Sequence, residues 1–130
     1  MRSVDLLDSL LAGPGLDIER HEPAPGRGSL VARIEGPDPS APKICLMGHT
    51  DVVPVTPDGW DRDPFGGEIV DGELWGPGAI DMSNLTSSMA VAIKHLADTG
   101  RQPRGDLIHF AVADEEAGGT WGAEWMLVAP

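Results

Sequence analysis

Apolar residues recur at helical spacing in two long stretches of the chain. In the first stretch a helix is predicted over 4–12, which Ser3 would cap and the glycines and proline at 13–15 would end. In the second, the spacing of three and four predicts a helix over 84–99 that Gly100 ends. The predicted apolar faces consist of Leu6, Leu7, Leu10 and Leu11, and of Leu85, Met89, Ala92, Ile93 and Leu96.

Alternating and continuous apolar runs predict the strands. The stretches 16–22 and 29–35 alternate, whereas 43–47 and 107–112 are continuous, which is typical of strands buried on both faces. Asp71-Gly72 lies between two short apolar runs and predicts a hairpin. The order strand, helix, strand (43–48, 84–99, 107–112) is that of a right-handed βαβ unit, so the chain is predicted to form an α/β domain. Thr120 could cap a last helix.

The composition argues against several classes of function. With 9 basic and 21 acidic side chains, the net charge of −12 leaves nothing to neutralise a nucleic-acid backbone. No apolar run approaches the roughly 20 residues that cross a bilayer, and the first residues do not resemble a signal peptide. Cys45 is the single cysteine, which excludes an internal disulfide, fits a cytoplasmic location and suggests a small core residue.

Polar residues at the carboxyl ends of the two buried strands suggest a site. His49 follows the first strand and a pair of glutamates, Glu115 and Glu116, follows the second, while Asp81 precedes the crossover helix. Each also has an ordinary alternative. His49 could be a structural histidine, the two glutamates could belong to a solvated turn, and Asp81 could be a helix N-cap. Their joint placement at one edge of a sheet, without a basic partner, favours a cation site instead. Imidazole with carboxylate oxygens is a zinc-type ligand set.

Four ordered motifs carry a resemblance to a known family. They read Gly-His-Thr-Asp-Val-Val-Pro at 48–54, Trp-Asp-Arg-Asp-Pro-Phe at 60–65, Trp-Gly-Pro-Gly-Ala-Ile-Asp-Met at 75–82 and Asp-Glu-Glu at 114–116. Together they resemble the zinc hydrolases that include aminoacylases, acetylornithine deacetylases, succinyl-diaminopimelate desuccinylases and glutamate carboxypeptidases. The resemblance implies a three-layer α/β sheet with helices on both faces, here incomplete at the C-terminus. It also implies hydrolysis of an amide bond in N-acyl amino acids or small peptides.

The resemblance assigns a role to each candidate site residue. His49 would be a terminal ligand of one of two Zn²⁺ ions, for which Co²⁺ or Mn²⁺ can substitute, and Asp51 would fix the orientation of His49. Asp81 would bridge both ions, and in the family its bond to the next residue is often cis. Glu116 would be the terminal ligand of the other ion. Glu115 would be the general base that takes a proton from the attacking water.

The chain also departs from the family pattern. Arginine usually stands where Pro77 is found, and lysine and glycines where Ser83, Asn84 and Leu85 are found, which affects the expected substrate preference. Residues 1–130 would form the N-terminal part of the catalytic domain, without the further acidic ligand, the second histidine and the dimerisation domain of the family. Each zinc would then have two protein ligands, so this chain alone is expected to bind metal poorly and to be inactive.

Three functions are compatible with these observations. The first is a metal-dependent amidohydrolase acting on a small molecule or short peptide, for which the resemblance allows a homodimer. The second is a non-catalytic, degenerate or partial domain of the same fold. The third, a general acidic binding module, explains the composition but not the four motifs.

Overall fold

The computed structural model describes residues 2–128 as a mixed α/β fold. Its helices and strands, in chain order, are α1 (Arg2–Leu11), β1 (Asp17–His21), β2 (Ser29–Ile34), β3 (Ile44–His49), β4 (Ile69–Val70), β5 (Glu73–Leu74), α2 (Ser83–Asp98), β6 (Leu107–Val112) and α3 (Trp125–Val128). The predicted α/β class is confirmed, and, apart from the last helix, the strand and helix bounds agree with the sequence pattern to within two residues. Within the described residues, every helix is too short or too polar to span a bilayer.

Four strands form the main sheet, in the order β1-β2-β6-β3. Strand β2 runs antiparallel to both β1 and β6, whereas β6 and β3 are parallel and pair Gly48 with Ala111 and His49 with Val112. The helix α2 connects β3 to β6, as the βαβ pattern predicts. Because the two strands are parallel and end opposite each other, the residues after His49 and after Val112 leave the sheet at the same edge.

One hydrophobic core lies between the sheet and the two long helices. It contains side chains from α1, β2, α2 and β6, namely Val4, Leu7, Leu11, Leu30, Ala32, Ile34, Ala90, Ile93 and Ala111. The predicted inner face of α1 is half wrong, because Leu6 and Leu10 are 70% and 40% exposed. The spacing 4, 7 and 11 is the true buried stripe of this helix. Ser3 lies within the first turn of α1 and does not precede it.

The prediction that the strand at 43–47 is buried on both faces is wrong. Ile44 and Met47 are 56% and 54% exposed, and Cys45 is exposed rather than a core residue. Among the described residues β3 pairs only with β6, so it is an edge strand and lacks a neighbour on its other side. A continuous apolar run does not distinguish an edge strand from a central one.

The predicted hairpin at Asp71-Gly72 is present, whereas the predicted helix cap at Thr120 is not. Asp71 and Gly72 have φ of +52° and +85° and join β4 to β5, which is the left-handed backbone that an Asp-Gly hairpin needs. Near the end, Thr120 does not cap a helix. It begins a π-type turn over Thr120–Glu124 that precedes α3, and the residue at its N-cap position is Gly119.

Candidate metal centre

His49 is held at the end of β3 by close contact with α2. A Cβ on Gly48 would lie 2.5 Å from Thr86 Oγ1 and 2.8 Å from Met89 Cε, so only glycine lets the strand approach the helix this closely. The Thr86 hydroxyl donates a 2.8 Å hydrogen bond to the carbonyl of His49. The imidazole is 4% exposed. Strand and helix together therefore fix both the backbone and the ring of His49.

The hydrogen bonds of the His49 ring determine which nitrogen can act as a ligand. Its Nδ1–H donates to the main-chain carbonyl of Asp51 at 3.0 Å. This leaves the lone pair of Nε2 facing two carboxylates, with Asp81 Oδ1 at 3.2 Å and Glu115 Oε2 at 3.7 Å. A lone pair and carboxylate oxygens repel each other unless a proton or a cation lies between them. The geometry of the ring therefore fits a cation bound by Nε2.

The carboxylates around His49 supply further donor atoms of a kind that suits a divalent metal. Single ligand atoms of His49, Glu115 and Glu116 all lie within 4.8 Å of one another. Asp81 and Glu115 are 80% and 57% exposed, so the cluster has a buried imidazole at its base and carboxylates towards solvent. Between residues 2 and 128, no lysine or arginine forms an ion pair with Asp81, Glu115 or Glu116. One imidazole with carboxylate oxygens is a donor set that zinc accepts.

Opposing influences act on the pKa of His49. Burial of the ring lowers it, but the hydrogen bonds to the Asp51 carbonyl and the Asp81 carboxylate raise it, as do the charges of Glu115 and Asp51. The net effect raises the pKa of His49 above its ordinary value. The surroundings of this ring thus favour a positive charge at Nε2.

Asp51 connects the two halves of the cluster. Its carboxylate accepts the backbone N–H of Glu115 at 3.3 Å and that of Glu116 at 3.1 Å, while its main-chain carbonyl accepts the Nδ1–H of His49. The sequence predicts that Asp51 orients His49, and the structure makes that contact through the backbone carbonyl, with the carboxylate 3.7 Å from Nδ1. The bond from Asp51 to the glutamate turn is not evident from the sequence.

Asp114 shapes the turn that carries the two glutamates. It is 3% exposed and adopts a left-handed backbone with φ of +69°. Its carbonyl accepts the N–H groups of Ala117 and Gly119, and its carboxylate accepts the N–H of Trp121 at 3.0 Å. Arg27, from the β1–β2 loop, forms a 3.1 Å ion pair with the same carboxylate. Sequence reasoning assigned Asp114 no role, although an aspartate between a strand and a turn is suited to positive φ.

Asp81 is not the N-cap of α2. Helix α2 begins at Ser83, its N-cap residue is Met82, and no side chain caps it. The Asp81 carboxylate points instead to His49, and the Asp81–Met82 peptide bond is cis. The N-cap alternative is therefore excluded for this aspartate. The structure brings together all five predicted site residues, while their roles as ligands or base stay predictions.

A solvent-open cavity of about 460 Å³, with both polar and apolar lining residues, adjoins the cluster. Asp81, Glu116, Trp60 and Trp75 are among the residues that line it. Trp60 and Trp75 are the first residues of two of the four motifs that carry the family resemblance. The cavity shows that they also form a wall next to the proposed ligands.

Comparison with known proteins identifies the family. Residues 45–129 match the model of peptidase family M20/M25/M40, which is more than half of the chain. The chain belongs to this family. The matched segment includes every candidate site residue, from His49 to Glu116.

Individual relatives agree with this assignment. A succinyl-diaminopimelate desuccinylase of Rhodopseudomonas palustris (strain BisA53) is 38% identical over 120 residues, which are 88% of this chain and 30% of that protein. Human carnosine dipeptidase 1 matches 97% of this chain and 28% of its own, with 25% identity and a TM-score of 0.73. A metallo-carboxypeptidase of the M20 family from Sulfolobus solfataricus matches 88% of this chain and 25% of its own length. The sequence identity is 25% and the TM-score is 0.67. The chain spans between a quarter and a third of the length of these relatives.

Proposed function

We propose that the natural protein carrying this chain is a zinc-dependent hydrolase that cleaves an amide bond in N-acyl amino acids or small peptides. The observation that supports this most directly is the lone pair of His49 Nε2, which faces two carboxylates within 3.7 Å. Membership of the M20/M25/M40 peptidase family and the likeness to a desuccinylase and to a dipeptidase agree with amide hydrolysis.

In this proposal the residues of the cluster divide into ligands and a base. His49 and Asp81 would hold one zinc, and Asp81 and Glu116 would hold the second. When bound, zinc is a Lewis acid that polarises a carbonyl and makes water a stronger acid. Glu115 takes a proton from the attacking water and delivers it to the leaving amine. Its carboxylate is 57% exposed and lies 3.7 Å from His49 Nε2, which supports this role.

The residues of this chain supply only part of the coordination. Two protein ligands per ion fall short of the three that catalytic zinc normally has. We propose that residues 1–130 are the N-terminal part of a catalytic domain and that the remaining ligands come from elsewhere in the natural protein. A non-catalytic domain of the same fold is the alternative, and the incomplete ligand set favours it if no further ligands are provided.

Removal of metal from the full natural polypeptide tests the proposal. Treatment with a chelator should abolish hydrolysis of an N-acetyl amino acid, and added Zn²⁺ should restore it. His49→Ala should lose both zinc and activity. His95→Ala is the matched control, because His95 is exposed in the last turn of α2 and has no contact with the cluster. Hydrolysis that survives chelation and the His49 substitution would contradict the proposal, and the absence of any hydrolysis would favour the non-catalytic alternative.

A further inference from the structure

The turn that carries Glu115 and Glu116 is held from both sides of the sheet. Strand β6, which leads into this turn, lies between β2 and β3. On the side of β3, Asp51 accepts the backbone N–H groups of both glutamates. On the side of β2 the contacts come from Arg27 and Ser29, to which the proposed function assigns no role.

The contacts on the side of β2 reach the residues immediately before the glutamates. The hydroxyl oxygen of Ser29, which is 1% exposed, accepts the backbone N–H of Ala113 at 3.0 Å. Arg27 Nη1 forms its 3.1 Å ion pair with Asp114 Oδ1. The other carboxylate oxygen of Asp114 accepts the N–H of Trp121. The chain is therefore fixed on either side of the glutamates.

Local hydrogen bonds order the loop that carries Arg27. The N–H of Arg27 donates to the carbonyl of Ala24 at 2.9 Å, and the carboxylate of Glu22 accepts the N–H of Gly26 at 2.8 Å. Because these bonds already restrict the backbone of the loop, the contact between Arg27 and Asp114 costs little additional conformational entropy.

The backbone of the turn sets the positions of the glutamate side chains. The Glu115 carboxylate is 57% exposed, so packing does not hold it in place. Asp114, with φ of +69°, directs the chain from β6 into the turn. An opening of the turn would move the Glu115 carboxylate away from His49 Nε2, which lies 3.7 Å from it. A displacement of about 1 Å in a reacting group can lower a rate about 100-fold.

We propose that Arg27 is a positioning residue for the metal centre, because its ion pair with Asp114 fixes the turn that carries the two glutamates. The inference rests on the proposed function, since it takes Glu115 as the base and Glu116 as a ligand. Arg27 precedes residues 45–129, the segment that matches the family model, so the ion pair lies outside the four motifs of the resemblance.

Amide hydrogen exchange in the metal-free full natural polypeptide tests this role without a bound ion. Arg27→Met removes the charge at a position that is 43% exposed, so folding should be retained. The N–H groups of Glu115 and Glu116 should exchange about tenfold faster than in the wild type, because the turn opens more often. Arg20→Met is the matched control. Arg20 is 38% exposed and pairs with two carboxylates of α1, so its loss should leave exchange in the turn unchanged.

A second variant tests the same side of the turn without removing a charge. Ser29→Ala leaves the N–H of Ala113 without its acceptor, so the N–H groups of Glu115 and Glu116 should again exchange faster. Wild-type exchange in both Ser29→Ala and Arg27→Met would show that contacts on the side of β2 do not hold the turn.

Steady-state kinetics at saturating zinc separate positioning from a purely structural role. A variant that only unfolds more readily loses active molecules, while the turnover per bound zinc stays the same. Arg27→Met should lower kcat per bound zinc about tenfold and leave KM nearly unchanged, since Arg27 acts through Asp114 and the turn. Arg27→Lys should restore most of the loss, because the ion pair is a single contact that one ammonium donor can replace.

The outcomes distinguish this inference from the proposed function. Wild-type exchange at Glu115 and Glu116 in the Arg27→Met variant would overturn the inference, even if zinc binds and hydrolysis occurs. Unchanged turnover per bound zinc would also overturn it, because Arg27 would then only stabilise the fold. Failure of the proposed function would appear separately, as a wild-type protein that takes up no zinc, while the exchange rates still test whether Arg27 holds the turn.

Discussion

The carboxylate of Asp51 accepts the backbone N–H of Glu116 at 3.1 Å, and its other oxygen accepts that of Glu115. Through these bonds the loop after β3 positions the turn after β6, and the main-chain carbonyl of Asp51 orients His49. One residue thereby sets the separation between the imidazole and the carboxylates of the candidate metal centre.

Substitution of Asp51 should weaken metal binding without removing a ligand. Asp51→Ala leaves two N–H groups without an acceptor and frees the glutamate turn, so zinc affinity should fall about 10–100-fold. Asp51→Asn keeps one side-chain oxygen as an acceptor, so its zinc affinity should fall less than that of Asp51→Ala. Zinc titration against a competing chelator measures both. Asp38→Ala is the control, since Asp38 also accepts a backbone N–H, from Ser40, but contacts Arg104 before β6. Equal affinities in the Asp51→Ala variant and the wild type would refute this role.

The ion pair between Arg27 and Asp114 should stabilise the fold. The Asp114 carboxylate is 4% exposed, and Arg27 is the cation paired with it at 3.1 Å. Arg27→Met would leave a buried charge without its partner and should lower the free energy of unfolding by about 1–3 kcal/mol. In the Asp114→Asn background the same substitution should lower it much less, because no buried charge remains. Urea denaturation of the wild type, the two single variants and the double variant gives the coupling free energy between Arg27 and Asp114. Additive effects of the two substitutions would show that the ion pair does not contribute to stability.

His109 should make stability depend on pH. The ring is fully buried in β6, and burial lowers its pKa despite a 3.2 Å contact between Nδ1 and the Leu46 carbonyl. The folded protein therefore prefers neutral His109, whereas the unfolded chain takes up a proton near the ordinary pKa of about 6.5. The stability that neutral His109 contributes should therefore be retained above that pH and be lost as the pH falls below it.

A variant without the titrating ring isolates the contribution of His109. His109→Leu should show a smaller loss of unfolding free energy between pH 7.5 and 5 than the wild type. His95→Leu, at an exposed position, should retain the wild-type slope. If the His109 variant and the wild type have the same pH dependence, the buried ring does not titrate as the structure implies.

The edge strand β3 should cause the isolated 130-residue chain to associate. Ile44 and Met47 expose more than half of their surface on a strand that has one neighbour among the described residues. Unpaired apolar edges promote pairing with other chains, so the isolated chain should be marginally stable and should self-associate as concentration rises. Ile44→Lys should reduce this association in sedimentation velocity experiments. A wild-type chain that stays monomeric and melts sharply at high concentration would show that the exposed edge of β3 causes neither association nor instability.

The elements of the fold follow from local patterns that the sequence displays. The extent of α2, the Asp-Gly turn at 71–72 and the apolar run at 107–112 depend on residues close in sequence, so they are predictable. Burial of β3 was not, because it depends on which strands lie beside it. The inner face of α1 was misplaced for a similar reason, since packing against β2 and α2 selects Val4 over Leu6.

The site shows the same division between local and long-range information. Strand ends and a family resemblance place His49, Asp81 and the glutamates at one edge of the sheet. The contacts of Asp51 with Glu115 and of Arg27 with Asp114 join residues more than 60 positions apart. No local pattern contains such contacts, and they became evident only from the folded chain.

Glutamine substitutions at Glu115 and Glu116, in the full natural polypeptide, test the account most directly. Glu115→Gln keeps the shape of the side chain but cannot accept a proton, so both zinc ions should remain while turnover of an N-acetyl amino acid falls by roughly 10²–10⁴-fold. Glu116→Gln replaces the carboxylate of a proposed ligand with an amide and should lower the zinc content. Zinc content and hydrolysis are measured on the same samples. Loss of zinc with Glu115→Gln and its retention with Glu116→Gln would reverse the two roles, and unchanged hydrolysis in both variants would contradict the mechanism.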